Sequence, residues 1–188
     1  MPWAGRNAYR KPIVIAAPAI EIRRARAQDA QACARLQLTD ADAPPLNDRA
    51  AAMVRSLERP DRWLWVACAG SAVIGFARLA ALVPAEPHSA PPAGLYLGGV
   101  SVAPERRRQG AGWALTRVRL EHAFSDPDVD RVWYFANARN EASIQLHAGF
   151  GFEEFERPMR FAPVSFTGGV GVLFSLSREA WAAGRVPA

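Results

Sequence analysis

Seven residues constrain this chain more than any others: Arg106-Arg107-Arg108-Gln109-Gly110-Ala111-Gly112. An apolar, strand-like run from Leu95 to Val102 leads into them, and a helix-like run from Trp113 to Phe124 leads out. A glycine turn at a helix start leaves the first backbone N–H groups without intrahelical acceptors. Those donors, the positive end of the helix dipole and the flanking arginines together predict an anion site suited to phosphate. Glycine also lets a ligand approach the backbone, because no Cβ intervenes. Two common phosphate loops do not fit. The triphosphate loop needs four residues between its glycines and then Lys-Ser or Lys-Thr, whereas Trp113 and Ala114 follow Gly112. The dinucleotide fingerprint needs a third glycine and an early βαβ unit, and neither is present. By itself the turn is also compatible with an arginine-rich surface loop.

A second block follows. Arg131-Val132-Trp133-Tyr134-Phe135-Ala136 has the unbroken apolar character of a buried strand. After it come Asn140-Glu141-Ala142-Ser143-Ile144-Gln145-Leu146-His147, which predicts a short helix, and then Gly151-Phe152. Together the blocks resemble the acetyl-coenzyme-A motifs of the GNAT N-acetyltransferase family. The first carries Arg107-x-x-Gly110-x-Gly112, entered through Val100-Ser101-Val102-Ala103-Pro104; the second carries the strand, the Asn, the helix and the closing Gly-Phe. The resemblance spans residues 20 to 176, and its specific part lies between residues 95 and 152.

The resemblance implies an α/β (α+β) fold: a mixed sheet of six or seven strands flanked by helices, with splayed central strands. It implies acetyl-coenzyme A (acetyl-CoA) as acetyl donor and a small-molecule or peptide amine as acceptor, joined by direct attack in a ternary complex. The implied donor site comprises Val100, Ser101, Val102, Arg107, Arg108, Gln109, Gly110, Ala111, Gly112, Asn140 and Ser143. Backbone N–H near Val100 is the implied oxyanion donor. His147 stands where many members carry tyrosine and is the implied general acid; an ordinary imidazole titrates near ~6.5, a thiol near ~8.5. Asn140 is equally a helix N-cap by its residue type, and His147 equally a packing or surface residue. Asp40, Asp42 and Tyr96 are candidate acceptor contacts, although acidic residues also belong to ordinary turns. No carboxylate precedes the phosphate turn in its strand to serve as general base. Two alternatives stay open: a non-catalytic acyl-CoA sensor of the same fold, and a basic nucleic-acid-binding protein.

The rest of the sequence sets bounds. A chain of 188 residues, half of them hydrophobic, fits one globular domain with a full core. We assign residues 20–188 to it and residues 1–19 to an N-terminal extension. The net charge of +5 suits an anionic ligand. No zinc-finger spacing, RNA-binding signature or basic heptad accompanies it, so nucleic acid is not expected as a partner. Cys33 and Cys68 are the only cysteines and stand outside any metal-ligand spacing, so no metal is expected. No run approaches the ~20 apolar residues that span a bilayer. The apolar stretch before Pro18 is shorter than the ~7–15 residues of a signal-peptide core, so a cytoplasmic protein is expected; a homodimer is left open. Glycine pair Gly98-Gly99 inside a strand predicts a bulge. A hairpin is expected at Gly70-Ser71, Asp29 as a helix cap, and a second helix from Asn47 or Asp48 to about Arg59.

Overall fold

Alternating side-chain preferences along the second strand explain how the layers are built. In the computed structural model, which describes residues 19–37, 43–83, 92–159 and 170–184, Leu64, Val66 and Cys68 face one side of the sheet. Trp65 and Ala67, one residue out of step, face the other. Each face therefore needs its own cover. Helices α1 (Ala30–Leu36) and α2 (Leu46–Leu57) cover the first through Cys33, Ala34 and Met53. Helix α3 (Ala111–Phe124) covers the second through Leu115, Leu120 and Phe124. Helix α4 (Glu141–Ala148) adds Ile144 and Leu146 to the same cluster.

The described sheet has seven strands: β1 (Ile20–Arg24), β2 (Arg62–Ala69), β3 (Ala72–Leu82), β4 (Gly94–Val102), β5 (Arg131–Asn137), β6 (Glu153–Met159) and β7 (Gly171–Ser177). Their spatial order is β1-β2-β3-β4-β5-β7-β6, and every neighbouring pair is antiparallel except β4 with β5. A short helix, α5 (Arg178–Ala182), follows β7, with Ser177 as its cap. The β2–β3 hairpin turns at Gly70-Ser71 as expected; Gly70 takes φ +60°, a conformation costly for residues with a Cβ.

Two local expectations are corrected. Asp29 does not cap α1 with its side chain. Its carboxylate instead takes both guanidinium nitrogens of Arg23, at 2.7 and 2.9 Å, and the Arg26 backbone N–H at 2.8 Å. The Arg23 hydrogen bond holds the buried carboxyl below the usual range, against the opposing effect of burial. Helix α2 begins at Leu46, before Asn47 and Asp48, and ends at Leu57. Pro45 occupies the cap position, where a missing N–H does no harm. Arg49 then ties the helix entry to the Ala34 and Pro44 carbonyls.

The parallel pair is the consequential one. Only Leu95–Leu97 of β4 pair with Val132–Tyr134 of β5. Beyond that point β4 stays with β3 through Val102, while β5 stays with β7 through Asn137. The two strands thus part company and leave a wedge. Its origin lies in the glycine pair. Ala77 and Leu79 on β3 face Val100 and Leu97 on β4, so β4 spends one extra residue across this interval. That is a β-bulge at Gly98-Gly99, and bulges bend and twist the strand that carries them.

Candidate active site

The wedge has polar walls. Ala103 N–H donates to the Ile74 carbonyl of β3 at 2.9 Å. Since backbone groups alternate sides along a strand, those of Val100 and Val102 face away from β3, toward the space that β5 has left. The Val102 carbonyl is met there by Arg107 Nε at 3.3 Å.

The glycine turn opens at the same end of β4. Residues Pro104–Arg106 form one 3₁₀ turn, and α3 starts at Ala111 with Gly110 as N-cap. Two left-handed residues shape the loop, Arg108 at φ 62° and Gly110 at φ 88°. Gly110 has no side chain with which to cap the helix, and the first helical bond runs from Ala114 N–H to the Gly110 carbonyl. The N–H groups of Ala111, Gly112 and Trp113 therefore lack intrahelical acceptors, as the sequence predicted for an anion site. Gly112 sits at the inner edge: a Cβ there would lie 3.7 Å from Leu146 and 3.9 Å from Val100. The loop thus touches both β4 and α4. Gln109 Nε2 donates to the Glu105 carbonyl at 3.3 Å, and Ala111 is buried.

A residue that sequence reasoning missed joins the bulge to the turn. Arg119, fully buried in α3, donates through Nη1 to the carbonyls of Gly98 at 2.9 Å and Arg78 at 3.0 Å. Its Nε reaches the Leu115 carbonyl, and its Nη2 reaches Thr116 Oγ1 at 3.0 Å. Thr116 Oγ1 in turn donates to the Gly112 carbonyl at 2.9 Å. Among the described residues no carboxylate neutralises this guanidinium, and burial pulls it down to about 9. The sequence signal was present: Arg119 falls four residues after Leu115 and eight after Ala111, on the stripe that faces the sheet.

His147 is buried rather than exposed. Its ring stacks on Tyr134 at 3.9 Å and meets Phe152 edge-on at 5.5 Å. Its Nδ1 lies 2.8 Å from the Ser143 carbonyl, which accepts only, so Nδ1 carries the proton. Burial, and secondarily the charge of Arg119, push the imidazole down to about 3, against the Ser143 bond that favours protonation. The ring is therefore neutral at pH 7, with a bare Nε2. That differs from the imidazolium wanted of a general acid. Two buried polar atoms here, His147 Nε2 and Tyr134 Oη, have no hydrogen-bond partner among the described residues. Burial raises the Tyr134 phenol, which keeps its proton. Tyr134 was read only as a strand residue; its place beside His147 needed the register.

Asn140 does cap α4, its Oδ1 accepting the Ser143 N–H at 3.2 Å. Tyr96 is buried on the opposite face of the sheet, stacked 5.1 Å from Phe135, and its hydroxyl donates to the Pro92 carbonyl at 2.6 Å. Asp40 and Asp42 lie outside the described residues. Among the described residues no group of three or more His, Cys, Asp or Glu could hold a metal, and no helix is long and apolar enough to cross a membrane.

Solved structures share this architecture. A probable GNAT-family acetyltransferase from Chromobacterium violaceum superposes with a TM-score of 0.66 at 21% identity, over 87% of this chain and 90% of that one. The putative acetyltransferase yncA from Salmonella typhimurium, solved with acetyl-CoA, gives 0.66 at 18% identity over 85% and 94% of the two chains. Ribosomal-protein-alanine N-acetyltransferase from Brucella melitensis gives 0.66 at 22% identity over 84% and 99%. These likenesses establish the fold. The sequence model of the acetyltransferase (GNAT) family matches residues 25–152, which include the bulge, the glycine turn and the His147 helix, and the chain belongs to that family.

Proposed function

We propose that this protein transfers an acetyl group from acetyl-CoA to the primary amine of a small molecule or peptide, by direct attack in a ternary complex. The observation that carries this reading is the wedge between β4 and β5, which opens beside the uncapped start of α3. The N–H groups of Ala111, Gly112 and Trp113, with Arg107, Arg108 and Gln109 around them, suit a pyrophosphate. The outward-facing groups of Val100 and Val102, with Ser101 between them, suit the amide arm of coenzyme A, which would lie along β4 in the manner of a strand. In this reading Asn140 and Ser143, at the start of α4 after β5, also contact that arm.

In the reaction the neutral amine attacks the thioester carbonyl carbon. A carbon–nitrogen bond forms, the carbon–sulfur bond breaks, and the amine gives up one proton while the thiolate gains one. The N–H of Val100 is the oxyanion donor in this reading. Proton delivery is better served by Tyr134 than by His147. The phenol carries its proton, whereas the neutral imidazole has none on Nε2. His147 then acts as a positioning residue, its stacked ring fixing Tyr134.

The test is thiol release from acetyl-CoA against aminoglycosides, polyamines, amino acids and peptides with free N-termini, with acetyl-CoA titrated calorimetrically in parallel. Turnover with one class and saturable binding of the donor are expected. Absence of donor binding would overturn the reading. Binding without turnover across the panel would leave the acyl-CoA sensor in its place.

A further inference from the structure

The cleft on the α1–α2 face carries an unusual charge pattern. It measures about 760 Å³ and is walled by α2, by the residues flanking the α1–α2 connection, and by the start of β2 and the second half of β3. Among the described residues its lining holds four arginines, Arg49, Arg55, Arg62 and Arg78, against one carboxylate, Asp48. Arg49 is accounted for by its bonds to Ala34 and Pro44. The others have no ion pair or side-chain hydrogen bond among the described residues.

Arg78 is the informative member. It is half-buried, its guanidinium lies 5.3 Å from the Phe76 ring centroid, and burial works against its charge. Arg62 pairs with Ala80 and Leu64 with Arg78, so Arg62 and Arg78 are diagonal neighbours on one sheet face. Two like charges so placed repel each other. A fold tolerates this arrangement more readily when an anion comes between them.

Position links the cleft to the reacting centre. Arg78 lies opposite the β4 bulge: its carbonyl shares the Arg119 guanidinium with Gly98, and its Cβ would stand 3.0 Å from a Cβ built on Gly98. Among the described residues the cleft's lining reaches Arg78 but no residue of β4 or β5, so it ends on β3, one strand from the point where the central strands part, on the face opposite α3. An amine held in the cleft by a negatively charged group would present its nitrogen toward the wedge.

We infer that the acceptor is an amine bearing a carboxylate or phosphate, held by Arg78 with Arg62 and Arg55 in the cleft between α2 and the β2–β3 strands. This rests on the acetyl-transfer reading and adds the substrate's charge to it. Guanidinium pairs with either anion through two parallel N–H donors. Cationic acceptors, such as polyamines and aminoglycosides, are disfavoured by the same arginines.

The experiment compares matched acceptors: L-amino acids and dipeptides against their C-terminal amides, and phosphoethanolamine against ethanolamine. Each is assayed by thiol release, with acetyl-CoA affinity measured calorimetrically on every variant. The anionic member should be preferred about 10- to 100-fold in kcat/KM, the range expected of one charge-assisted contact. The two pairs distinguish carboxylate from phosphate. In Arg78→Gln, which keeps the apolar stem over Phe76, the preference should collapse with acetyl-CoA affinity unchanged, and Arg78→Lys should restore part of it. Equal or better turnover of the amides, or of polyamines, would overturn the inference while leaving the acetyltransferase intact. So would an unchanged preference in both Arg78→Gln and Arg62→Gln. A wild-type protein that fails to bind acetyl-CoA would instead overturn the underlying function, and the inference with it.

Discussion

Arg119 donates to the carbonyl of Gly98 from within the core, at 2.9 Å. One guanidinium thereby holds the bulge that separates β4 from β5, and through Thr116 it also holds the first turn of α3. The two halves of the donor site, strand edge and glycine turn, are positioned by one buried cation. A carboxylate in its place could not do this, since every group it meets is an acceptor in at least one role.

Replacing that cation has a definite expected cost. Arg119→Met strips donors from the Gly98 and Arg78 carbonyls and should destabilise the fold by about 2–4 kcal/mol, with acetyl-CoA affinity falling as well. Urea denaturation and calorimetric titration read the two effects separately. An unchanged denaturation midpoint would show that the guanidinium is not holding the bulge.

The phosphate turn separates sterics from charge. Nothing lies within 4 Å of a Cβ built on Gly110, so Gly110→Ala meets only the strain of its φ of 88°, roughly 1–2 kcal/mol. Gly110→Asp adds a negative charge among the N–H groups reserved for pyrophosphate. We expect the alanine variant to bind acetyl-CoA within about fivefold of wild type and the aspartate variant to lose about 100-fold or more, as repulsion at a helix start would require. Equal binding by both would remove the turn from the donor site.

His147 makes stability sensitive to acid. Its folded pKa is depressed from 6.5 to about 3, so its stabilising contribution is full above pH 6.5 and is lost as pH falls toward 3. Between those values this one group should lower unfolding free energy by up to ~1.4 kcal/mol per pH unit. Asp29, also depressed, acts with the same sign at lower pH. Thermal unfolding from pH 7.5 to 5 should therefore show a steeper decline in wild type than in His147→Phe, where the contributions of the carboxylates and of His122, itself lowered by burial and by Arg24, remain. Identical slopes would mean that the imidazole is not held neutral.

Packing beneath the site leaves no room at Gly149. A Cβ there would approach the Trp113 ring to 2.9 Å and the Leu146 carbonyl to 3.3 Å. Trp113 cannot yield easily, because it stacks on buried Phe150 at 3.8 Å. Gly149→Ala should cost about 1–3 kcal/mol by differential scanning calorimetry, the range for an overpacked core. A neutral result would show that Trp113 can move.

Local chemistry was legible in the sequence wherever one residue's backbone preference settles the matter. The glycine turn, the Gly70-Ser71 hairpin, the Gly98-Gly99 bulge and the Asn140 cap follow from residue type and nearest neighbours, and all four stand where expected. Apolar runs marked the strands, because a strand buried on both faces has no polar alternation to hide it. What tertiary structure decided was which groups meet across the chain. Asp29 gave up its cap for Arg23 because β1 brings a guanidinium within 2.7 Å of it. His147 became neutral because Tyr134 and Phe152 enclose it. Arg119 reads as one more basic residue of a helix until the sheet sets two carbonyls, 21 and 41 positions away, within reach of one nitrogen. Burial and long-range hydrogen bonding depend on distances between segments, and only the packed fold sets those distances.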